Sequence, residues 1–565
     1  MNKESRSTAL NWTYQFSKPY LWSILLLSII GSAVAGGFIL IVVVSSYILD
    51  IATGAKDGVL TYWIILLFIM IVLLALLQGL ASHMRTRIAG KLEMNLRQTL
   101  FIRLTEKQYM ERSQLHSGDM LHRLYSDVQL VVNGVVQLIP QFISMATKLI
   151  AGFIVMVSIS PIFSVAIVSA GVLMYTIGRL YRKKYKGLHK ACQSTEGHTR
   201  SFLQECFDNI VLIKSYCREQ LIHLKLQEKQ QTNYKAKLAR NMVTIAATSS
   251  SYLMLSIGYF AVLVWGAMQL SAGSITFGSM LALLQMIDQV KGPFRNMSGL
   301  APQYYAMLAS AERLQELEQL NDEPNRDVIN QSYISAAHMI EELEAIELDQ
   351  VSYRYGQANE VLHQTSFTIN KGEFVGIAGA SGAGKSTLFK LILGFIQPDS
   401  GELRFRMRKG NVLNNMAARL LLAYVPQIQL MFSGTIRENL TMFNEAANDT
   451  DINEALSIAC LSEEIAAFPH GLDTMIGEHN VGLSEGQAQR LSIARAVLSK
   501  APILLLDEST SALNESLEKE VLRRLRTLQG RTVIFISHST FVLKSCDRVI
   551  NLDTLKHGKE LGHGA

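Results

Sequence analysis

Four stretches with almost no charge constrain this chain more than anything else in it. Leu21 to Leu49 and Gly58 to Ser82 carry no charged residue, Leu130 to Gly178 carries only Lys148, and Val243 to Ile287 again carries none. A helix rises about 1.5 Å per residue and the hydrocarbon core of a bilayer is about 30 Å thick, so the 29 residues of the first stretch suffice for one crossing. The third and fourth stretches, 49 and 45 residues long, are double length, and each holds a place to turn, at Ser160-Pro161 and at Ser271-Ala272-Gly273. They read as pairs of helices joined by very short outer loops, which makes six spans. For the first stretch a secretory signal peptide is the alternative, because Ala33-Val34-Ala35 resembles a cleavage site; the apolar run continues well past it, which favours a true span.

Basic residues orient the spans. Lys3, Arg6 and Lys18, then Arg85, Arg87, Lys91, Arg97 and Arg103, then Arg179 to Lys190, all flank the same side, and an excess of lysine and arginine marks the cytoplasm. Both ends of the chain are therefore expected there. The long connections on that side are helix-compatible and should project tens of ångströms from the membrane. A composition of 49% hydrophobic and 18% charged residues fits membrane spans plus a soluble part. The net charge of +6 is modest, and no nucleic-acid partner is expected. Five cysteines show no metal-ligand spacing and fall in segments expected in the cytoplasm, so no disulfide framework is expected. The organisation expected is a cytoplasmic segment 1–20, a membrane domain 21–311, a charged linker 312–344, a soluble domain 345–558 and a tail 559–565.

The soluble part centres on Gly379-Ala-Ser-Gly-Ala-Gly-Lys-Ser-Thr387, between a buried strand ending at Ala378 and a helix from Leu388. Strand, glycine-rich loop, then helix is the context of a phosphate-binding loop. Gly379, Gly382 and Gly384 let the backbone curl so that N–H groups, including those near Ser381, Ala383 and Thr387, face β- and γ-phosphates at a helix N-terminus. Lys385 supplies a point charge and Ser386 a hydroxyl for Mg²⁺. Such a loop predicts a carboxylate at the end of a second buried strand, and Ile503-Leu-Leu-Leu506 followed by Asp507-Glu508 supplies it. Asp507 would act on the Mg²⁺ shell and Glu508 on the attacking water. ATP and Mg²⁺ are the cofactors these residues call for.

A further motif, Leu483-Ser-Glu-Gly-Gln487 followed by Gln489-Arg490, resembles the signature LSGGQ of ABC transporters. With six spans ahead of one nucleotide-binding domain, the chain resembles a half-molecule of the exporter type over Trp12 to Leu552. The resemblance implies a six-helix membrane bundle with long cytoplasmic extensions followed by an α/β P-loop ABC ATPase domain. It also implies ATP-driven export of an amphipathic cargo (drug, lipid or peptide) by alternating access, from a bacterial inner membrane. An importer on the same scaffold, or a membrane ATPase that regulates without transporting, are the alternatives.

Position by position, the resemblance makes Tyr355 the adenine-stacking aromatic and Gln427 the glutamine that touches Mg²⁺ and water. His538 becomes the histidine at the γ-phosphate. Ser484, Gly486 and Gln487 close over ATP held by a second half-transporter, so the partner is another half, as a homodimer or a heterodimer. Tyr109 to Gly118 and Phe207 to Tyr216 resemble coupling helices, with Glu478 and Asn514 as coupling residues of the nucleotide domain. Three departures stand out: Glu485 in place of a signature glycine, Asn514 in place of aspartate, and the lack of the family's usual glycine-containing turn after the second strand in Arg406 to Leu420, where the one glycine is Gly410. Lys148, Asp288, Lys291 and Arg295 are ionisable groups in or beside spans, where such groups line polar cavities or neutralise one another.

Overall fold

The computed structural model describes residues 3–113, 115, 117–323, 342–356, 360–408, 412–413, 418–428, 430–477 and 482–555. It forms two compact units, one of Met1–Ile102 and Ser117–Gln319, the other of Arg103–His116 and Leu320–Ala565.

Six long helices build the first unit: α1 Leu21–Ala52, α2 Leu60–Thr105, α3 Ile139–Ile159, α4 Pro161–Asp208, α5 Glu219–Ser271 and α6 Phe277–Glu318. The stretches Ser7–Ala52, Leu60–Thr105, Ser117–Ile159 and Glu219–Ser271 are long and apolar enough to cross a membrane. The two double-length stretches break where the sequence offers turns. Ser160 is extended (ψ 108°) and Pro161 opens α4, a position where its missing N–H costs nothing. Gly273 takes φ +69° after α5, and Thr276 then caps α6 by accepting from the Ser279 amide. At 53 residues α5 is about 80 Å long, far more than a bilayer needs.

The charged segment expected to start a linker at residue 312 is helical to Glu318. An ionic network anchors it. Asp127, fully buried in a π-helical turn, accepts from Arg313 Nε at 2.8 Å and from Ser310 Oγ at 2.9 Å. Arg123 donates to the Arg313 carbonyl at 2.9 Å and to Glu316 at 3.2 Å. At the other end of α6, the buried Asp50 of α1 accepts from the Gly278 amide at 2.9 Å.

The α4–α5 corner holds the short helix Ile210–Ser215, and Phe207, Ile210, Val211, Leu212 and Tyr216 there are all exposed.

In the second unit, β1 Leu343–Arg354, β2 Glu360–Asn370, β4 Ser400–Met407 and β5 Val412–Leu413 form an antiparallel sheet in the order β2-β1-β4-β5. A parallel sheet, in the order β11-β3-β10-β9-β6, comprises β3 Phe374–Ala378, β6 Leu422–Val425, β9 Ile503–Asp507, β10 Thr532–Ile536 and β11 Arg548–Asn551, and the short strands β7 Gly434–Thr435 and β8 Met475–Ile476 form a separate antiparallel pair. Every residue of β9 and β10 is buried, as a strand covered on both faces requires. The carboxyl ends of β3, β6, β9 and β10 open on one edge, where α/β sheets place ligands.

Residues 103–116 join this unit through short bonds. The Gln108 amide donates to the Asn321 carbonyl at 3.0 Å, Glu323 N to Glu106 O at 2.9 Å, and Lys107 Nζ reaches Asp322 at 2.7 Å. Tyr109, opening the helix Tyr109–Ser113, stacks on Phe395 with ring centroids 4.8 Å apart.

Candidate nucleotide site

The loop after β3 is shaped by its glycines. Gly379, Gly382 and Gly384 have φ of +153°, +80° and +105°, values that side chains rarely adopt. Gly384 leads into the helix Lys385–Ile392 (α7), and a Cβ there would lie 2.8 Å from Leu362 Cδ2. This is a concave backbone turned onto a helix N-terminus, and it fits a polyphosphate. Lys385 donates from Nζ to the carbonyls of Gly379 at 2.7 Å and Ala380 at 3.1 Å, and stands 3.3 Å from His538 Nε2. Ser386 follows at the second helical position.

β9 delivers Asp507 and Glu508 to the same edge. Tyr424, on β6, donates from its hydroxyl to Asp507 Oδ2 at 3.2 Å. Burial pushes the Asp507 carboxyl above the usual range, with the Tyr424 hydrogen bond working against that rise. Among the described residues no group of three or more His, Cys, Asp or Glu could hold a metal ion. A serine hydroxyl and one carboxylate are nevertheless a fitting donor set for Mg²⁺, which keeps waters and phosphate oxygens as its other ligands.

Glu508 sits at φ +46°, an uncommon conformation for a residue with a side chain, and its amide donates to the Ile536 carbonyl at 2.9 Å. Its carboxylate accepts from Gln427 Nε2 at 2.6 Å and lies 3.4 Å from His538 Nε2. Lys385, Gln427, Asp507, Glu508 and His538 thus come from four strand ends to one place. Tyr355, past β1, bonds Thr387 through its hydroxyl at 3.3 Å. Lys390 lies 5.8 Å from the ring centre of Tyr355 and 5.9 Å from that of Tyr109.

The signature residues form a separate cluster. Ser484 caps the helix Glu485–Leu498 (α8) by accepting from the Gln487 amide at 3.2 Å, while the Gln487 side chain accepts from the Ser484 amide at 2.8 Å. Gln487 also donates to Glu464 at 2.8 Å. A Cβ on Gly486 would meet the Ala512 carbonyl at 3.3 Å, so that glycine lets the loop after Glu508 pack closely. Glu485 is exposed at the first position of α8, where a carboxylate favours the helix dipole. Asn514 caps the helix Glu515–Leu525 (α9), accepting from the Leu517 amide at 2.9 Å.

Of the residues expected to form a cargo cavity, the side chains of two are described. Lys148 is half-buried on α3, 5.8 Å from the Phe38 ring centre, and Asp288 is exposed on α6. The side chains of Lys291 and Arg295, and the whole of Glu478, lie outside the described residues. An apolar cavity of about 780 Å³ lies elsewhere in this unit, against Tyr14, Leu25, Gly134, Ile139, Tyr304 and Met307. Sequence reasoning also passed over Tyr424 and Lys390. Tyr424 carries a signal, three residues before Gln427 on a strand; Lys390 carries none.

A phosphate-binding ATPase joined to a membrane helical unit is the class this geometry defines. Residues 362–511 match the family ABC transporter, and residues 22–294 match the ABC transporter transmembrane region. The second match begins inside the first apolar stretch, so that stretch is part of the membrane region. The "Uncharacterized ABC transporter ATP-binding protein YfiB" of Bacillus subtilis (strain 168) is 30% identical over 84% of this chain and 81% of its own. The "ATP-dependent lipid A-core flippase" of Syntrophus aciditrophicus (strain SB) is 27% identical over 85% and 80%. A solved structure described as a bacterial Atm1-family ABC exporter with ATP bound shares the fold, with a TM-score of 0.75 at 20% identity over 96% and 97% of the two chains. The chain belongs to the ABC transporters, as a half-transporter of the exporter type whose ATP hydrolysis is coupled to transport.

Proposed function

We propose that this chain exports an amphipathic drug, lipid or peptide across a bacterial inner membrane, as one half of a dimer with both ends in the cytoplasm. The observation that carries this reading is the convergence of Lys385, Gln427, Glu508 and His538 at one sheet edge. That is a complete set for hydrolysis: a cation for the phosphates, a carboxylate to orient and deprotonate water, and two polar groups to hold the carboxylate.

ATP binds with its adenine on Tyr355 and its phosphates over the loop from Gly379 to Thr387. Lys385 leaves its own loop carbonyls for the β- and γ-phosphates. Ser386, Asp507 and Gln427 would hold Mg²⁺, which supplies charge neutralisation at the phosphate oxygens. Glu508, fixed by Gln427, orients the attacking water and takes its proton, while His538 donates to the γ-phosphate. Ser484, Gly486 and the N-terminus of α8 serve ATP held by the other half, because one chain carries one copy of each motif. The capping bonds between Ser484 and Gln487 keep that helix end rigid for the encounter. ATP drives transport by binding the closed dimer more tightly than the open one.

The exposed apolar corner Phe207 to Tyr216 docks on a nucleotide domain and passes that closure to the membrane helices. The flippase relative makes lipids the first cargo class to try.

The test is ATP turnover by the purified chain in lipid nanodiscs, beside Glu508→Gln, across lipids, drugs and peptides. Turnover that one cargo class stimulates and the variant abolishes supports a homodimeric transporter. Inert wild-type chain sinks the homodimer and directs the search to a different half. Turnover that no cargo alters argues against transport.

A further inference from the structure

Glu518 belongs to none of the motifs, yet it is a carboxylate only 7% exposed, one turn into α9. Its Oε1 accepts from Thr510 Oγ1 at 2.7 Å and its Oε2 from Ser539 Oγ at 2.9 Å. Thr510 stands two residues after Glu508, and Ser539 directly follows His538. One buried carboxylate therefore ties together the two loops that carry the hydrolytic pair. Both oxygens of this buried carboxylate are thus engaged by side-chain hydroxyls, and losing a partner would leave a buried polar atom unsatisfied.

The tie has something to hold. Glu508 sits at φ +46°, and a conformation of that kind persists only when its surroundings over-determine it. The Glu518–Thr510 bond grips the chain just beyond the strain, and Gln489 of α8 grips it from the other side. Gln489 donates to Ser511 Oγ at 3.1 Å and accepts from the Ala512 amide at 3.0 Å.

We propose that Glu518 is a positioning residue for ATP hydrolysis, locking the loop after Glu508 to the loop after His538 so that both keep one geometry about the water and the γ-phosphate. The inference rests on the roles given above to Glu508 and His538.

The test compares Glu518→Ala, Glu518→Gln, Ser539→Ala and the double variant Glu518→Ala/Ser539→Ala in the full chain in nanodiscs. Phosphate release gives kcat and KM, a fluorescent ATP analogue gives affinity, and thermal unfolding gives Tm. Misplaced groups cost catalysis rather than binding, so Glu518→Ala should lower kcat about tenfold or more with affinity within about threefold. Glu518→Gln should recover much of that, since an amide can accept from one hydroxyl and donate to the other. The double variant should be no worse than Glu518→Ala alone, because both break one link. Effects that multiply, a kcat within about twofold of native, or a kcat loss that only tracks lost affinity and Tm would each overturn the proposal. If Glu518→Ala does not fold, Thr510→Val, which removes only the hydroxyl, must lower kcat instead. Should Glu508→Gln keep native turnover, the underlying reading of the site fails first. If Glu508→Gln is dead while Glu518→Ala turns over normally, the positioning role alone falls.

Discussion

Replacing Gly384 by alanine separates backbone strain from packing in the phosphate loop. At φ +105° an alanine takes a left-handed cost of about 1–2 kcal/mol. Its Cβ would also stand 2.8 Å from Leu362 Cδ2, 3.1 Å from Val361 Cγ1 and 3.2 Å from the Val361 carbonyl. Leu362 is 1% exposed and packed in the core, so it cannot swing away; forcing a methyl into such a place costs about 1–3 kcal/mol more. The sum is about 2–5 kcal/mol, and because the loop can shift more easily than the sheet, most of it should appear as lost ATP affinity. At about 1.4 kcal/mol per decade, that is a loss of about thirtyfold to a few thousandfold. Gly382 is the internal control: φ is +80°, yet a Cβ there meets nothing within 4 Å, so only the backbone cost of about 1–2 kcal/mol applies, or about five- to thirtyfold. Titration with a fluorescent ATP analogue, with Tm measured alongside, reads both variants. Equal damage at the two positions, or a Gly384→Ala variant binding within about threefold of native at unchanged Tm, would show the packing argument to be mistaken.

The other expectations are smaller in scale. Asn514→Asp keeps the cap of α9 and should leave Tm unchanged, whereas Asn514→Ala should cost about 1 kcal/mol in thermal unfolding; a harmful aspartate would mean the side chain does more than cap. If the N-terminus of α8 serves ATP held by the other half, as proposed, Glu485→Gly removes a carboxylate from that helix end and should tighten ATP binding, with a gain that shrinks as salt rises from low to about 0.5 M; a gain indifferent to salt would point to shape rather than charge. Asp127→Asn should cost about 1.5–3 kcal/mol of stability, toward the lower end because Arg313 is 40% exposed, and adding Arg313→Met should cost little beyond that. Tyr109→Ala should lose about 0.5–1.5 kcal/mol beyond the buried area of the ring, read as a Tm drop that Tyr109→Phe does not share.

The elements legible in the sequence are those where one physical requirement acts on many neighbouring residues. Charge-free runs, the Ser160-Pro161 break, the turn at Gly273 and the aliphatic run Ile503 to Leu506 are of this kind, and the helices and strands fall where those patterns put them. Gathering Lys385, Asp507 and Glu508 needed only the order strand, loop, helix, strand. What escaped the sequence are single contacts between distant segments. Nothing local to Glu312–Glu318 announces that Asp127 and Arg123 will hold it helical, so a charged stretch there reads as linker. Glu518 looks like any glutamate on an amphipathic helix until folding sets Thr510 and Ser539 beside it. Asn514 reads as a lost aspartate, although a cap needs only the side-chain oxygen that both residues have.

The same logic explains why the nucleotide unit cannot be cut from the chain at a linker. Residues 103–116 come more than two hundred positions earlier, yet their bonds run to Asn321, Asp322 and Glu323, and Glu323 in turn pairs with Arg419 at 2.8 Å. Arg419 lies over the Phe395 ring at 4.9 Å, and Tyr109 stacks on that same ring. Met110 packs on the core that contains Leu388 and Phe389 of α7. A fragment beginning at Leu320 would expose Phe395, strip Asp322 of its lysine and leave Lys390 with Tyr355 as its sole aromatic neighbour of the two. The short helix Tyr109–Ser113 is thus part of the wall behind the phosphate loop.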